Sequence, residues 1–288
     1  MKKIVVLLLC FILLMSSALA EVTVVDLRAG EESLIAEDAE TMDIYFPQIN
    51  GCNGAVVVCG DTVIVIDACV FGQYPALKEV LNGLGITKID YCINTHPDND
   101  HIDGFFRIPN TYEVGTYITG FAEKDNREEL QNKLYLQYTE AGIPWVRAAN
   151  GDVIDLGDFT IRFIQRNDPQ WEINNCSLSV MLTYKGRSAY FPGDIQKACQ
   201  KVLQAEDDPD DISADLINWP HHGYSNMQAP FMEKVGATLY VITSGRSTAN
   251  DAVKQLKEQG ISTYYITEKG PLHFSTDGNV WQVEYMDW

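Results

Sequence analysis

The sequence predicts an α/β fold, and three observations carry that reading. Apolar, β-rich runs alternate with segments of helical spacing. Two such halves follow one another along the chain. Potential metal ligands collect where the apolar runs end, at 96–101, 194 and 221–222, as ligands do at the strand ends of α/β proteins.

The chain has 288 residues, 46% of them hydrophobic, enough for a substantial core. It opens Met1-Lys2-Lys3, continues apolar through 4–15 and reaches Ala18-Leu19-Ala20. A positive start, a short apolar middle and an Ala-x-Ala end predict a secretory signal over 1–20 and a mature chain of 21–288. The apolar stretch is shorter than the roughly 20 residues of a spanning helix, so no stable membrane insertion is expected after cleavage. The expected location is extracytoplasmic or secreted, in a bacterium.

The formal charge is −19, and cleavage would remove two lysines and no acid. Such a surface repels phosphate backbones, and no basic cluster offsets it, which weighs against a nucleic-acid partner. A small-molecule or cell-envelope substrate is expected instead.

In chain order, residues 21–40 are a polar lead-in. Strands follow over 43–49, 55–59 and 62–68, divided by Gly51, Gly54 and Gly60-Asp61. Leu77, Val80, Leu81 and Leu84 mark a helix over 74–84, stopped by Gly85. The strand 89–94 leads into His96-Pro97-Asp98-Asn99-Asp100-His101. Leu130, Leu134 and Tyr138 place an amphipathic helix over 123–141. A second meander is expected over 145–149, 153–156, 159–165, 178–184 and 188–191, ending in Pro192-Gly193-Asp194. A helix over 195–206 and a strand over 214–220 then reach His221-His222. Strand and helix repeat over 232–235, 238–243, 249–259, 263–266 and 281–286, with His273 on a strand face.

Four of the five histidines lie in the two ligand clusters. Residues 96 and 98 alternate along extended chain and can face one point, while 100 and 101 diverge toward a second. Room for two metals follows from that spacing.

His96-x-Asp98-x-Asp100-His101 resembles the signature of the metallo-β-lactamase-fold hydrolases, in the variant with Asp at the second position. That variant is similar to the hydrolase domain of competence DNA-uptake channel proteins and to choline-phosphate esterases of teichoic acid. Asp67-Ala68-Cys69 resembles the family's Asp-x-Gly, Gly193-Asp194 its Gly-Asp, and Pro220-His221-His222-Gly223 its Pro-His-His-Gly-Ser, with Tyr224 in the serine's place. Asn174-Asn175-Cys176-Ser177 matches the Asn-Asn-x-Ser of the competence branch.

The resemblance implies a four-layer αββα sandwich and two divalent ions, zinc or manganese. His96 and Asp98 would hold the first ion, Asp100, His101 and His222 the second, and Asp194 would bridge. Asp67 would hold a ligand histidine, Asn175 would orient water or a substrate oxygen, and His221 would either support a ligand from behind or be the substrate-facing acid. The assignment of His221 and His222 is open to exchange, with His222 favoured as the ligand. The oxygen-rich first site widens the metal choice from zinc toward manganese.

The implied activity is hydrolysis of a phosphoester or phosphodiester by a metal-bound hydroxide, with Asp100 in the catalytic set. A lactone, lactam or other ester or amide hydrolase of the same fold is the alternative, as is a metal-binding secreted protein without turnover. Cys52 and Cys69 are also expected to face each other: if Gly60-Asp61 is a two-residue turn, counting back from Cys59 opposite Thr62 pairs them.

Overall fold

The computed structural model describes residues 22–121, 128–206, 212–245 and 250–287. The leader 1–20 and the first turn expected of the helix 123–141 lie outside the described residues; the helix is seen from Glu128–Glu140. Two mixed sheets face each other. The first has nine strands in the order Thr23–Asp26, Val280–Tyr285, Leu272–Thr276, Met42–Phe46, Gly54–Cys59, Thr62–Ala68, Lys88–Asn94, Glu113–Thr119 and Trp145–Arg147. The second has seven, in the order Ser262–Tyr265, Leu239–Ile242, Leu216–Asn218, Arg187–Phe191, Ser179–Tyr184, Phe159–Ile164 and Val153–Asp155.

Strand alternation builds the layers. Leu216 and Val241 point into a core shared by both sheets, while Ile217, Tyr240 and Ile242 point the other way, into a second core with Phe231, Met232, Leu203 and Leu256. Those last four come from the helices Ala229–Val235, Lys197–Ala205 and Asn250–Glu258. On the far side Leu77, Val80 and Leu81 of the helix Tyr74–Gly83 close the first sheet. Helix, sheet, sheet, helix is the expected αββα order. Because both faces of the central strands are buried, each apolar side chain there contributes on the order of 1.5–3 kcal/mol.

Several expectations are corrected. Trp145–Arg147 does not join the second meander; it pairs parallel to Glu113–Thr119 at the edge of the first sheet, because the helix Glu128–Glu140 is a crossover that returns the chain there. Glu113–Thr119 itself has no counterpart in the sequence reading. Gly115 interrupts its pattern and looks like a turn, yet a Cβ there would meet Asp90 O at 2.6 Å, so the glycine serves a close approach between parallel strands. Residues 232–235 form the end of a helix.

The hairpin at Gly60 has Cys59 opposite Thr62 as counted, but a bulge between Gly54 and Ala55 shifts the register. Cys69 consequently donates its N–H to Asn53 O, at 2.8 Å, and is not opposite Cys52. The two thiols still meet and both are free and buried.

His273 lies on the strand face, directly opposite Tyr45 and Glu284 on its two neighbouring strands. Its ring stacks on Tyr45 at 4.3 Å, Nδ1 faces Glu284 Oε1 at 2.9 Å and Nε2 faces Asp43 Oδ1 at 2.8 Å. Burial opposes charge on this imidazole, but the hydrogen bonds to Asp43 and Glu284 win and raise its pKa. A raised folded pKa gives stability that is fully present below the unfolded value, about 6.5, and lost as pH climbs through the folded value. His273→Gln is therefore expected to destabilise the protein most near pH 6 in urea denaturation, with the difference from wild type shrinking toward alkaline pH. A difference that grows with pH would contradict the pairing.

Candidate metal centre

The strand Lys88–Asn94 is buried at its end and delivers Thr95 and His96 into the gap between the sheets. The chain then turns at Asp98 into the short helix Asn99–Ile102, which carries Asp100 and His101. Gly104 lets that turn seat against the neighbouring strand: a Cβ there would lie 1.9 Å from Ala68 O. Asp194 arrives from the second sheet through Gly193, at φ 64°, where a side chain would collide with Ser177 and Thr95. His221 and His222 adopt left-handed φ of 54° and 57° in succession. Such backbone costs of order 1 kcal/mol or more per residue, and aims both rings at the same carboxylate.

All the histidines of the two clusters converge on Asp194, whose side chain is 2% exposed. His101 Nε2 is 3.3 Å from its Oδ1; His222, His96 and His221 Nε2 are 3.5, 3.8 and 3.9 Å from its Oδ2. Asp98 Oδ2 is 3.8 Å from His96 Nε2, and Asp100 Oδ2 is 3.0 Å from His222 Nε2. The donor atoms of Asp100, His101, Asp194 and His222 all lie within 4.8 Å of one another.

The other ring nitrogens decide the tautomers. Asp67, at φ 55° on its strand end, accepts from Asn94 Nδ2, Thr95 N and Thr95 Oγ1. It also faces His101 Nδ1 at 2.7 Å; a carboxylate can only accept, so His101 carries its proton there. Thr95 Oγ1 has given its hydrogen to Asp67 and so accepts from His96 Nδ1, at 3.1 Å. Thr243 Oγ1 donates to Asn53 Oδ1 and accepts from His222 Nδ1, at 2.9 Å. Three rings thus hold their Nδ1 protons inward and turn Nε2 lone pairs on Asp194. His221 is the opposite case, because Gln196 Nε2 donates to its Nδ1 at 3.1 Å and the proton falls on Nε2.

This donor set fits a divalent cation. His96 Nε2, His101 Nε2 and Asp194 Oδ1 are buried and have no hydrogen-bond partner among the described residues. Each such atom costs about 1–3 kcal/mol. His222 Nε2 and Asp100 Oδ2 stand 3.0 Å apart, joined by a proton on Nε2 or, with a metal bound, as two ligands of one cation. For metal bonds of about 2.0–2.2 Å, tetrahedral ligands stand roughly 3.3–3.6 Å apart, which the second cluster approaches. Asp100, His101, Asp194 and His222 could hold one ion, and His96, Asp98 and Asp194 another.

The electrostatics agree. Burial and the adjacent His101 push the His96 imidazole well below its usual pKa, into the neutral form a metal ligand needs. Burial opposes charge on Asp100, Asp194 and His101 alike, yet the Asp194 and Asp67 carboxylates raise the His101 imidazole well above its usual pKa. That positive charge, together with His222, in turn holds Asp100 at about 2 and Asp194 below the usual carboxylate range; the carboxylates call for positive charge at their centre, which a divalent cation would supply.

Asn175 is placed differently from its expected role. Its Oδ1 accepts the N–H groups of Gln196 and Cys199 at the start of the helix Lys197–Ala205, 2.9 and 3.2 Å away. That positions Gln196, and through it His221. Ser177 Oγ accepts the N–H of Asp194 at 3.2 Å. Thr95, Gln196, Thr243 and Asn53 were not singled out by sequence reading; Thr95, adjacent to His96, and Gln196, two residues past Asp194, stand close enough in the chain to have been found.

The sequence model of the metallo-beta-lactamase superfamily matches residues 49–267. ComE operon protein 3 of Bacillus subtilis (strain 168) is 25% identical over 176 residues, 59% of this chain. The match covers 22% of that relative, so this chain spans about a fifth of its length. Among solved structures, YhfI, a metallo-beta-lactamase fold protein from Bacillus subtilis, superposes with a TM-score of 0.55 at 13% identity, over 82% of this chain and 100% of that one. CmlA, a diiron beta-hydroxylase from Streptomyces venezuelae, gives 0.52 at 9% identity, over 87% and 55%. A diphosphatase from the PhnP family gives 0.50 at 15%, over 81% and 98%. At these identities the structures show the shared fold alone, while the sequence match extends over most of the strands and all of the histidines that build the site. The chain belongs to the metallo-beta-lactamase superfamily.

Proposed function

We propose that this chain is an exported, metal-dependent hydrolase of a phosphoester or phosphodiester, in which His96, Asp98, Asp100, His101, Asp194 and His222 would hold two divalent ions, zinc or manganese. The observation that carries the reading is the set of three Nε2 lone pairs turned on one buried carboxylate, with Asp98 and Asp100 flanking it. When bound, such ions acidify a water and offset the charge of an oxyanion. Three carboxylates at the site would neutralise most of their charge, and the oxygen-rich first set is supported by Asp98 standing where many relatives have histidine. A diphosphatase shares this fold, so phosphorus chemistry is within its reach.

The chain's own residues divide the remaining work. Asp67, Thr95 and Thr243 fix the three ligand rings by holding their Nδ1 protons, which also raises the donor strength of Nε2. His221, whose ring is partly exposed, holds its Nε2 N–H at the edge of the centre, 3.9 Å from Asp194 Oδ2, where it can donate to a phosphoryl or leaving-group oxygen. Burial lowers its pKa, which keeps it in that neutral donor form near neutrality. Gln196 and Asn175 hold its tautomer.

Asp194→Ala is expected to lose both ions, read by metal analysis, and hydrolysis of bis(4-nitrophenyl) phosphate with them. His222→Ala should lose metal, whereas His221→Ala should keep it and lower kcat by roughly 10²–10⁴. An Asp194→Ala protein with two ions and wild-type turnover would sink the bridging role, and metal loss in His221→Ala would exchange the two histidines. A wild-type protein that is metal-loaded yet cleaves only lactones or lactams, or nothing in a panel of esters, would redirect the substrate class.

Export is supported by Met1-Lys2-Lys3, the apolar run and Ala18-Leu19-Ala20. Among the described residues no helix is long and apolar enough to cross a membrane. N-terminal sequencing of the protein recovered from outside the cytoplasm should start at Glu21; a sequence starting at Met1 would remove the signal.

A further inference from the structure

A cavity of about 270 Å³ is walled by the chain just past two strand ends, and the residues described so far do not use its chemistry. One wall begins at Gly120, just past the strand Glu113–Thr119. Thr119 pairs with Asn94 across parallel strands, so Gly120 lies about one strand spacing, roughly 4.8 Å, from the Thr95-His96 end of its neighbour. The other wall is the turn Ile173–Cys176, and the next residue, Ser177, receives the backbone N–H of Asp194. Gln165 joins the walls: its Nε2 donates to Cys176 O at 2.8 Å, and it fills the space a side chain at Gly120 would need.

Phe121 and Trp171 line this cavity together with Arg147. Phe121 is buried, and its carbonyl receives Gln131 Nε2 of the helix Glu128–Glu140 at 3.2 Å, which anchors that wall. Trp171 is half-buried and Arg147 exposed. Arg147 Nε donates to Gly120 O at 3.4 Å, holding the guanidinium against the cavity wall. The one acid in the lining, Asp168, uses Oδ1 to accept the N–H of Gln170 within its own turn. In a protein of net charge −19, the arginine offsets the lining's one acid and leaves this cavity without the negative charge of the surface at large.

We propose that this cavity binds the organic part of the substrate, and that this part is a planar aromatic group carrying an anionic substituent, with the ring against Trp171 and Phe121 and the anion on Arg147. The volume is near the lower end of ligand pockets, about 300 Å³, which suits one or two fused rings. Ring stacking and a charge-assisted pair each supply binding of useful size, and an anion without the ring has only the pair to set against the repulsion of the acidic surface. The place of the scissile bond beside the cavity rests on the hydrolase reading; the binding chemistry does not.

The test is calorimetric titration of the metal-loaded protein with 2-naphthoate, with 2-naphthylmethanol and acetate as partial probes. Saturable binding of 2-naphthoate is expected, with Arg147→Ala and Trp171→Leu each weakening it about tenfold or more at unchanged metal content and thermal midpoint. Naphthylmethanol should bind wild type and Arg147→Ala alike, and acetate should not compete. Wild type that fails to bind 2-naphthoate, or variants that bind it as wild type does, would overturn the proposal, as would displacement by acetate, which would place the anion on the metals. Trp171→Phe, which keeps an aromatic face, should restore most of the affinity if the tryptophan substitution acts through stacking. Failure of the hydrolase reading would look different: 2-naphthoate binding intact, without ester turnover.

Discussion

Asp194 is a carboxylate with almost no access to water and four imidazole nitrogens within 4 Å. The surrounding structure can be understood as the means of making that arrangement tolerable. Neither a lone buried carboxylate nor three lone pairs directed at it is stable without a compensating cation. Each ring is therefore pinned from behind, by Asp67, Thr95 or Thr243, so that its open nitrogen cannot turn away to find a neutral partner. The chain meets the cost in backbone strain at His221, His222, Asp67 and Cys69, all with positive φ and all next to the site.

The two-sheet architecture supplies that geometry. His96, Asp98, Asp100 and His101 come from the first sheet; Asp194 and the histidine pair come from the second. Sheet packing brings the two sets together only if the shared core of Ile44, Val65, Leu182 and Leu216 is filled. Glycines at 104 and 193 permit contacts that any side chain would block. A ligand set split between sheets also means that a bound ion ties the sheets to each other, so metal affinity and stability are linked.

Much of this was legible in the sequence because it is local. His96-x-Asp98-x-Asp100-His101, Gly193-Asp194 and His221-His222 each stand at the end of an apolar run, and each is found at the centre. What the sequence hid is non-local or masked by glycine. The strand Glu113–Thr119 is broken in pattern by Gly115, whose purpose is visible only once Asp90 lies beside it. The bulge at Gly54 moves Cys69 by one register position, which no count of turn residues could show. Trp145–Arg147 has the composition of either sheet, and its crossover helix decides between them. Thr243 and Gln196 select the tautomers of adjacent histidines from 21 and 25 residues away, and their types carry no metal-site signal of their own.

On the proposed function two ions would share Asp194, with His222 and not His221 among the ligands. Anomalous diffraction from crystals of the metal-loaded protein, recorded on both sides of the metal absorption edge, tests this directly. Two peaks about 3.5–4 Å apart are expected, one on either side of Asp194. One should be bonded to His96 and Asp98, the other to Asp100, His101 and His222. A single peak remote from Asp194, or an ion bonded to His221 Nε2 in place of His222, would contradict it.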